Sequence, residues 1–169
     1  MKIENISRRD FFRKTGVTAG VFALAFSVNS TPKRVLAGQF ENDFIATWLQ
    51  IDEDGLVHLL IPASEMGQGS LTSLAQILAD EMEADYERIR ALTAPKGNAY
   101  KNPLFGMQAT GGSTSVRAWW TPLREIGANV RAMMIEAGAQ KMAVRPTDCS
   151  AYNHRVIHSS GESVDYADI

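Results

Sequence analysis

A chain of 169 residues, 45% hydrophobic and 21% charged, suits one folded domain with or without a tail, and neither figure fits a disordered chain. The net charge of −2 hides a division: residues 1–37 carry +5 and residues 38–169 carry −7, so the acidic body argues against a nucleic-acid partner. The lone cysteine, Cys149, excludes an internal disulfide and any zinc or iron–sulfur site built from several cysteines of this chain.

The N-terminal stretch Ser7-Arg8-Arg9-Asp10-Phe11-Phe12-Arg13-Lys14 resembles a twin-arginine export signal: paired arginines, one spacer, two large apolar residues and a base. The mostly apolar run from Val17 to Val28 follows. It is shorter than the about 20 residues a membrane span needs, and reads as the hydrophobic region of a signal. Val35-Leu36-Ala37 before Gly38 offers a cleavage point. The segment is either removed there or kept as a tether. Arg8 and Arg9 thus predict the twin-arginine export machinery as a partner. The expected location is the periplasm, or the inner membrane if the tether stays. A chance basic amphipathic helix is the plain alternative. Residues 1–37 are set apart from the fold, which is assigned to residues 38–169.

In the body, Phe44 to Ile51 and Leu56 to Ile61 read as strands around the turn Asp52-Glu53-Asp54-Gly55, a β-hairpin that Pro62 ends. Trp48 and His58 lie on it, and a histidine on a strand is expected to be structural. Next comes Glu65-Met66-Gly67-Gln68-Gly69-Ser70, two glycines around a neutral amide. Leu71, Leu74, Ile77, Leu78 and Met82 then recur at helical spacing, predicting a helix from about Ser70 to Ala84. Gln68 would stand at its N-terminus, where free N–H groups and the helix dipole favour an anion. Two readings stand for this loop: an anion site, or a turn that needs glycine for shape. Asp80, Glu81, Glu83 and Asp85 predict a solvated acidic face, and Ile89 to Thr93 a third strand.

Lys96 to Gln108 is irregular, broken by Gly97, Asn98, Asn102, Pro103 and Gly106. Such a long segment in a compact domain is functional or mobile. The second special turn, Gln108-Ala109-Thr110-Gly111-Gly112-Ser113-Thr114-Ser115-Val116-Arg117, again opens a helix. Val116, Trp119, Trp120, Leu123, Ile126, Val130, Met133, Met134 and Ala137 predict its buried stripe. Arg117, Arg124 and Arg131 recur every seven residues as an exposed basic edge, with Arg117 nearest the loop. Gly138 sits late in this helix and Pro146 beyond it. Arg155 to His158 and Ser163 to Asp165 read as a small hairpin. Tyr166 to Ile169 reads as the start of a further helix, from which a C-terminal truncation is expected.

Each special turn combines close backbone approach, a helix N-terminus and neutral hydrogen-bonding side chains. Together they suit a group with several phosphate or oxo oxygens. Glutamine can donate to or accept from an oxo or sulfido ligand without exchanging a proton, and hydroxyls suit pyrophosphate and ribose. There is no Gly-Lys-Ser/Thr phosphate loop, no Gly-x-Ser-x-Gly nucleophile turn and no His-Glu-x-x-His zinc motif.

Glu65-Met66-Gly67-Gln68-Gly69 with its helix, and Ala109-Thr110-Gly111-Gly112-Ser113-Thr114-Ser115 within the Phe105–Arg117 block, resemble the large, molybdopterin-binding subunit of the xanthine dehydrogenase/aldehyde oxidase family. The branch most similar is the isoquinoline 1-oxidoreductase β-subunit type, which also carries a twin-arginine signal. The resemblance implies an α+β fold, the N-terminal part of the molybdopterin-binding domain preceded by the signal segment. It implies a molybdenum–molybdopterin cytosine dinucleotide cofactor. The implied reaction hydroxylates an aldehyde or N-heterocycle with oxygen from water. Electrons would pass to a small subunit with 2Fe–2S clusters, with a cytochrome c as a candidate acceptor. By resemblance, Gln68 sits near the molybdenum oxo group and Gly67 and Gly69 shape its loop. Gly111, Gly112, Ser113 and Thr114 lie along the pterin or dinucleotide. No residue of this chain is implied as a metal ligand. Members of this branch are several times longer, and the glutamate that activates water lies in their later domains, so no residue here takes that role. The fragment alone is then expected to be inactive. The alternative expectations are a stand-alone exported interaction or assembly module, or an inactive gene fragment.

Overall fold

A hairpin starts the folded body because Asp52 closes its turn. In the computed structural model, which describes residues 48–169, Asp52 Oδ1 accepts the N–H groups of Asp54 at 3.0 Å and Leu56 at 2.8 Å. The export signal with Arg8 and Arg9, and the beginning of the strand predicted from Phe44, lie outside the described residues. Strand β1 (Leu49–Ile51) pairs antiparallel with β2 (Val57–Ile61), Leu49 opposite Leu59 and Ile51 opposite Val57. Alternation along β2 buries Val57, Leu59 and Ile61, as the pleat demands. His58 is structural: its Nε2 lies 3.0 Å from the Asp52 carboxylate.

Helix α1 (Ser70–Met82) buries Leu74, Leu78 and Met82 with Ala75 and Ala79. It ends at Met82, two residues short of the predicted end at Ala84, with Glu83 following in the left-handed region at φ 53°. Strand β3 (Ile89–Thr93) then pairs parallel with β2, from Val57 opposite Ile89 to Ile61 opposite Thr93. A parallel pair needs a crossover, and α1 supplies it. Helix α2 (Ser115–Lys141) lies along α1 and buries Trp119, Leu123, Ile126, Val130 and Met134. Trp48 anchors the core beneath, 4.9 Å from the Trp119 ring and 5.5 Å edge-on from Tyr100.

Three expectations change at this helix pair. Val116 and Trp120 leave the predicted core stripe, with Trp120 48% exposed. The acidic face of α1 and the basic edge of α2 are not separate solvated surfaces. They meet: Glu81 pairs with Arg124, and Glu83 lies 3.9 Å from Arg131. The close approach is made at Gly127, where an added Cβ would lie 2.8 Å from Glu81 Cβ and 3.0 Å from the Leu78 carbonyl oxygen.

A second antiparallel sheet, β4 (Cys149–Tyr152), β5 (Arg155–His158) and β6 (Ser163–Asp165), rides on the end of α2. The predicted hairpin is β5–β6. Strand β4, Cys-Ser-Ala-Tyr, has no β-branched residue and is too short to show a period in the sequence. Tyr166–Asp168 forms a short 3-10 turn in place of the predicted helix start, and the Tyr166 hydroxyl donates to the Met82 carbonyl at 2.8 Å. Between β4 and β5, His154 is 1% exposed. Its Nε2 lies 2.8 Å from the Gly55 carbonyl and its Nδ1 lies 3.3 Å from the Asp85 N–H. A carbonyl only accepts and an N–H only donates. These partners therefore select the neutral ring with its proton on Nε2. Burial, with the Arg88 guanidinium nearby, lowers the His154 pKa, against the opposing pull of the Gly55 carbonyl, Asp165 and Asp85.

Two outcomes follow from this packing. Gly127→Ala gains roughly 1 kcal/mol of helix propensity but overpacks a seam against backbone, at about 1–3 kcal/mol. Thermal denaturation should show a lower melting temperature, and an unchanged one would mean the helices part freely there. For His154 the unfolded chain binds the proton more readily than the folded one. Its stabilising share is complete above the unfolded value of about 6.5 and falls away as pH drops toward the lower folded value. Chemical denaturation should therefore show stability declining as pH falls below about 6.5; a flat profile there would contradict the buried neutral ring.

Candidate cofactor site

The chain from β2 to α1 turns through Gly67, at φ 91°, and Gly69, at φ 75°, left-handed values that favour glycine. No side chain within the described residues would be struck there, since an added Cβ at either position meets nothing within 4 Å. Glu65 closes the turn. Its Oε1 accepts the N–H groups of Gly67 at 2.8 Å and Gly69 at 2.9 Å. Its Oε2 accepts the Leu71 N–H at 3.0 Å and the Ser70 hydroxyl at 3.0 Å. The Leu71 and Gly69 N–H groups are the main reason the Glu65 carboxyl is held down at about 2. The anion expected at the start of α1 is thus, in this structure, the chain's own carboxylate.

Gln68 is exposed, yet its amide is folded back into the loop. Nε2 donates to the Ser64 carbonyl at 2.6 Å and to the Ser70 hydroxyl oxygen at 3.0 Å, while Oε1 accepts the Met66 N–H at 2.5 Å.

The second loop meets the first directly. Ser64 N–H donates to Thr110 Oγ1 at 2.9 Å, across 46 positions of sequence. Gly111, Gly112 and Ser113 are exposed beyond that link. Gly112 and Ser113 take φ 57° and 54°, which turns the chain into α2. Gly111 has no left-handed φ, and a Cβ on it would meet nothing within 4 Å. Neither conformation nor packing among the described residues accounts for glycine at that position. Thr114 is buried: its hydroxyl donates to the Gly111 carbonyl at 2.7 Å and accepts from Asn102 Nδ2 at 2.9 Å. It shapes the loop. The start of α2 has no side-chain cap and no acidic residue in its first turn, and nothing there plays the part that the Glu65 carboxylate plays before α1. Its first N–H groups are available to an anion. Arg117 is exposed in that turn.

The long irregular segment is an ordered support. Asn102, 3% exposed, bridges to Met107 through its backbone and to Thr114 through its amide. Gln108 ties the Gly97 N–H and the Pro95 carbonyl together. Leu104, Phe105 and Met107 stand exposed at the tip. Asn102, Gln108, Thr110 and Glu65 were not assigned roles from sequence. The sequence signalled only that they lie in irregular, turn-rich segments: Glu65, Gln108 and Thr110 within the two special turns, Asn102 among the breakers of 96–108. Among the described residues no group of His, Cys, Asp and Glu could hold a metal ion, and no helix is long and apolar enough to cross a membrane.

The site therefore offers two glycine-bearing loops fastened to each other, one closed by its own carboxylate and one open at a helix N-terminus. A cofactor with anionic oxygens fits the open loop and the bare backbone at Gly111.

Comparison with known proteins agrees. The family described as "Molybdopterin cofactor-binding domain" matches residues 3–169. A membrane-bound aldehyde dehydrogenase (pyrroloquinoline-quinone) of Gluconacetobacter polyoxogenes is 32% identical over 173 residues, 98% of this chain and 21% of that protein. The beta chain of isoquinoline 1-oxidoreductase from Brevundimonas diminuta is 29% identical over 97% of this chain and 22% of its own length. A subunit of nicotinate dehydrogenase from Pseudomonas putida is 26% identical over 96% of this chain and 13% of its own. The crystal structure of quinoline 2-oxidoreductase from Pseudomonas putida 86 shares the fold, with a TM-score of 0.52 at 16% identity over 70% of this chain and 15% of that one. The chain spans between 13% and 22% of the length of these curated relatives. The expected α+β fold and the expected kinship both hold: the chain belongs to the molybdopterin cofactor-binding domain family.

Proposed function

We propose that this chain contributes two cofactor-binding loops to the large subunit of a molybdenum hydroxylase. Molybdenum–molybdopterin cytosine dinucleotide is the cofactor of this reading. The observation that carries it is the junction of the two loops through Ser64 and Thr110, with bare backbone at Gly111 and an uncapped α2 beside it. The cofactor, once bound, supplies the redox chemistry. The chain supplies position. Gly111, Gly112 and Ser113 lie along the pterin or dinucleotide, with Thr114 and Asn102 holding that loop in shape. Gln68, flanked by Gly67 and Gly69, stands beside the metal's oxygen ligands. In the overall reaction a C–H bond of an aldehyde or N-heterocycle becomes C–OH with oxygen from water, and two electrons and two protons leave. A subunit with 2Fe–2S clusters receives the electrons, and a cytochrome c is the candidate acceptor beyond it. In this reading the twin-arginine machinery exports the protein to the periplasm, cleaved or tethered, with cofactor already bound.

The relatives' names differ in cofactor: one names pyrroloquinoline quinone, while the matching family is described by molybdopterin. Elemental and cofactor analysis of the full-length protein, isolated with its iron–sulfur partner, decides between them. Molybdenum and pterin in equal amount to protein are the expected result; quinone without molybdenum would overturn the reading. In that full-length protein Gln68→Ala should leave export and molybdenum content intact while lowering turnover on the order of 10- to 100-fold, the usual effect of losing a contact just outside a metal's ligands. Full turnover at full loading would remove Gln68 from the reaction.

A further inference from the structure

We propose that the groove between α1 and α2 seats an amphipathic helix from the part of the full-length polypeptide outside residues 1–169, with Trp120 as its anchor. The groove opens to about 900 Å³. Ser73, Ile77 and Asp80 of α1 line one wall, and Val116, Trp120 and Arg124 of α2 line the other. Those positions recur every three or four residues, so each wall runs along its helix axis for about 10–12 Å, roughly two turns. A valley of this shape between two helices is where a third helix packs. An extended strand gains little there. Both walls spend their backbone groups on helical hydrogen bonds and offer no free row of N–H and C=O groups, whereas a helix arrives with its own backbone satisfied.

Exposed apolar area gathers at this groove: Val116 is 37% exposed, Trp120 48%, and Tyr86, also on its lining, 39%. Val116 and Trp120 belong to the apolar stripe of α2 and are the part of it left exposed. The Trp120 ring is held in place, because the Arg124 guanidinium lies 5.5 Å from its centroid and Arg124 is itself paired with Glu81. A large aromatic fixed before its partner arrives is the kind of residue that dominates an interface. Asp80 is exposed and forms no ion pair among the described residues. The seated helix therefore carries apolar residues at helical spacing toward Trp120 and a Lys or Arg toward Asp80. Length selects the occupant. The chain matches its curated relatives over 96–98% of itself yet spans only 13–22% of them. In a protein of that length most of the polypeptide is tethered beside the groove, while a separate subunit or a second copy must give up its translational freedom to fill it.

In the full-length protein as isolated, benzoylphenylalanine placed at position 120 and irradiated should form a cross-link within the same chain. Peptide mapping should put its far end outside residues 1–169, on a segment with apolar residues at helical spacing. A cross-link to a second copy or to another subunit would overturn the proposal, and so would one confined to residues 1–169 or none at all. Trp120→Ala should speed limited proteolysis outside residues 1–169 by at least about tenfold, the loss expected of an aromatic anchor, while Trp120→Phe stays close to the unaltered rate. Unchanged cleavage in Trp120→Ala would count equally against the anchor. The cross-link decides the matter even where Trp120→Ala does not accumulate. Neither readout depends on molybdenum or on turnover, so failure here leaves the proposed function standing.

Discussion

Everything in this fold depends on how closely α2 can approach α1. The approach is made at Gly127, where no side chain stands between α2 and the Leu78 carbonyl. Once the helices lie that close, Glu81 reaches Arg124 and Glu83 comes near Arg131, so charges that would each face water meet across the seam. Exposed pairs of this kind add little stability, and they follow from the packing more than they cause it. A second close contact at Gly138, where a Cβ would lie 2.7 Å from Val156, seats the small sheet against the far end of α2. His154 and Tyr166 then bind that sheet back to the hairpin turn and to the end of α1.

The same arrangement brings the two loops together at the other end of the helix pair, where Ser64 and Thr110 join them. Helix N-termini leave N–H groups unpaired, and every fold must satisfy or solvate them. This chain does so in two ways. At α1 it uses an internal carboxylate, Glu65, which also orders Gln68. At α2 it leaves the groups open and backs the loop from behind with buried Asn102 and Thr114. The asymmetry separates the loops: the first holds a fixed side chain, the second leaves backbone N–H groups open.

Much of this was legible in the residues. The Asp-Glu-Asp-Gly turn, the apolar spacing of α1 and α2, and the glycines of both special turns are local signals, and each led to the right element. The motif order carried the family. Other features were not legible. Glu65 reads as one more acidic residue until the loop curls and gives it four donors. Trp120 fits the helical stripe as well as Trp119 does, yet only Trp119 meets Trp48. Strand β4 is four residues long without a β-branched one, and forms where β5 offers it a partner.

The sequence by itself determined both helices, the first hairpin, β3, the order of these elements, the acidic body and the kinship of both glycine turns, because turn chemistry and periodicity act over a few neighbouring residues. Only the tertiary structure decided that β3 runs parallel to β2, that the acidic and basic faces pair, and that the α1 terminus is already filled while the α2 terminus is open. Those outcomes depend on contacts between residues far apart in the chain, and such contacts exist only after the helices have packed.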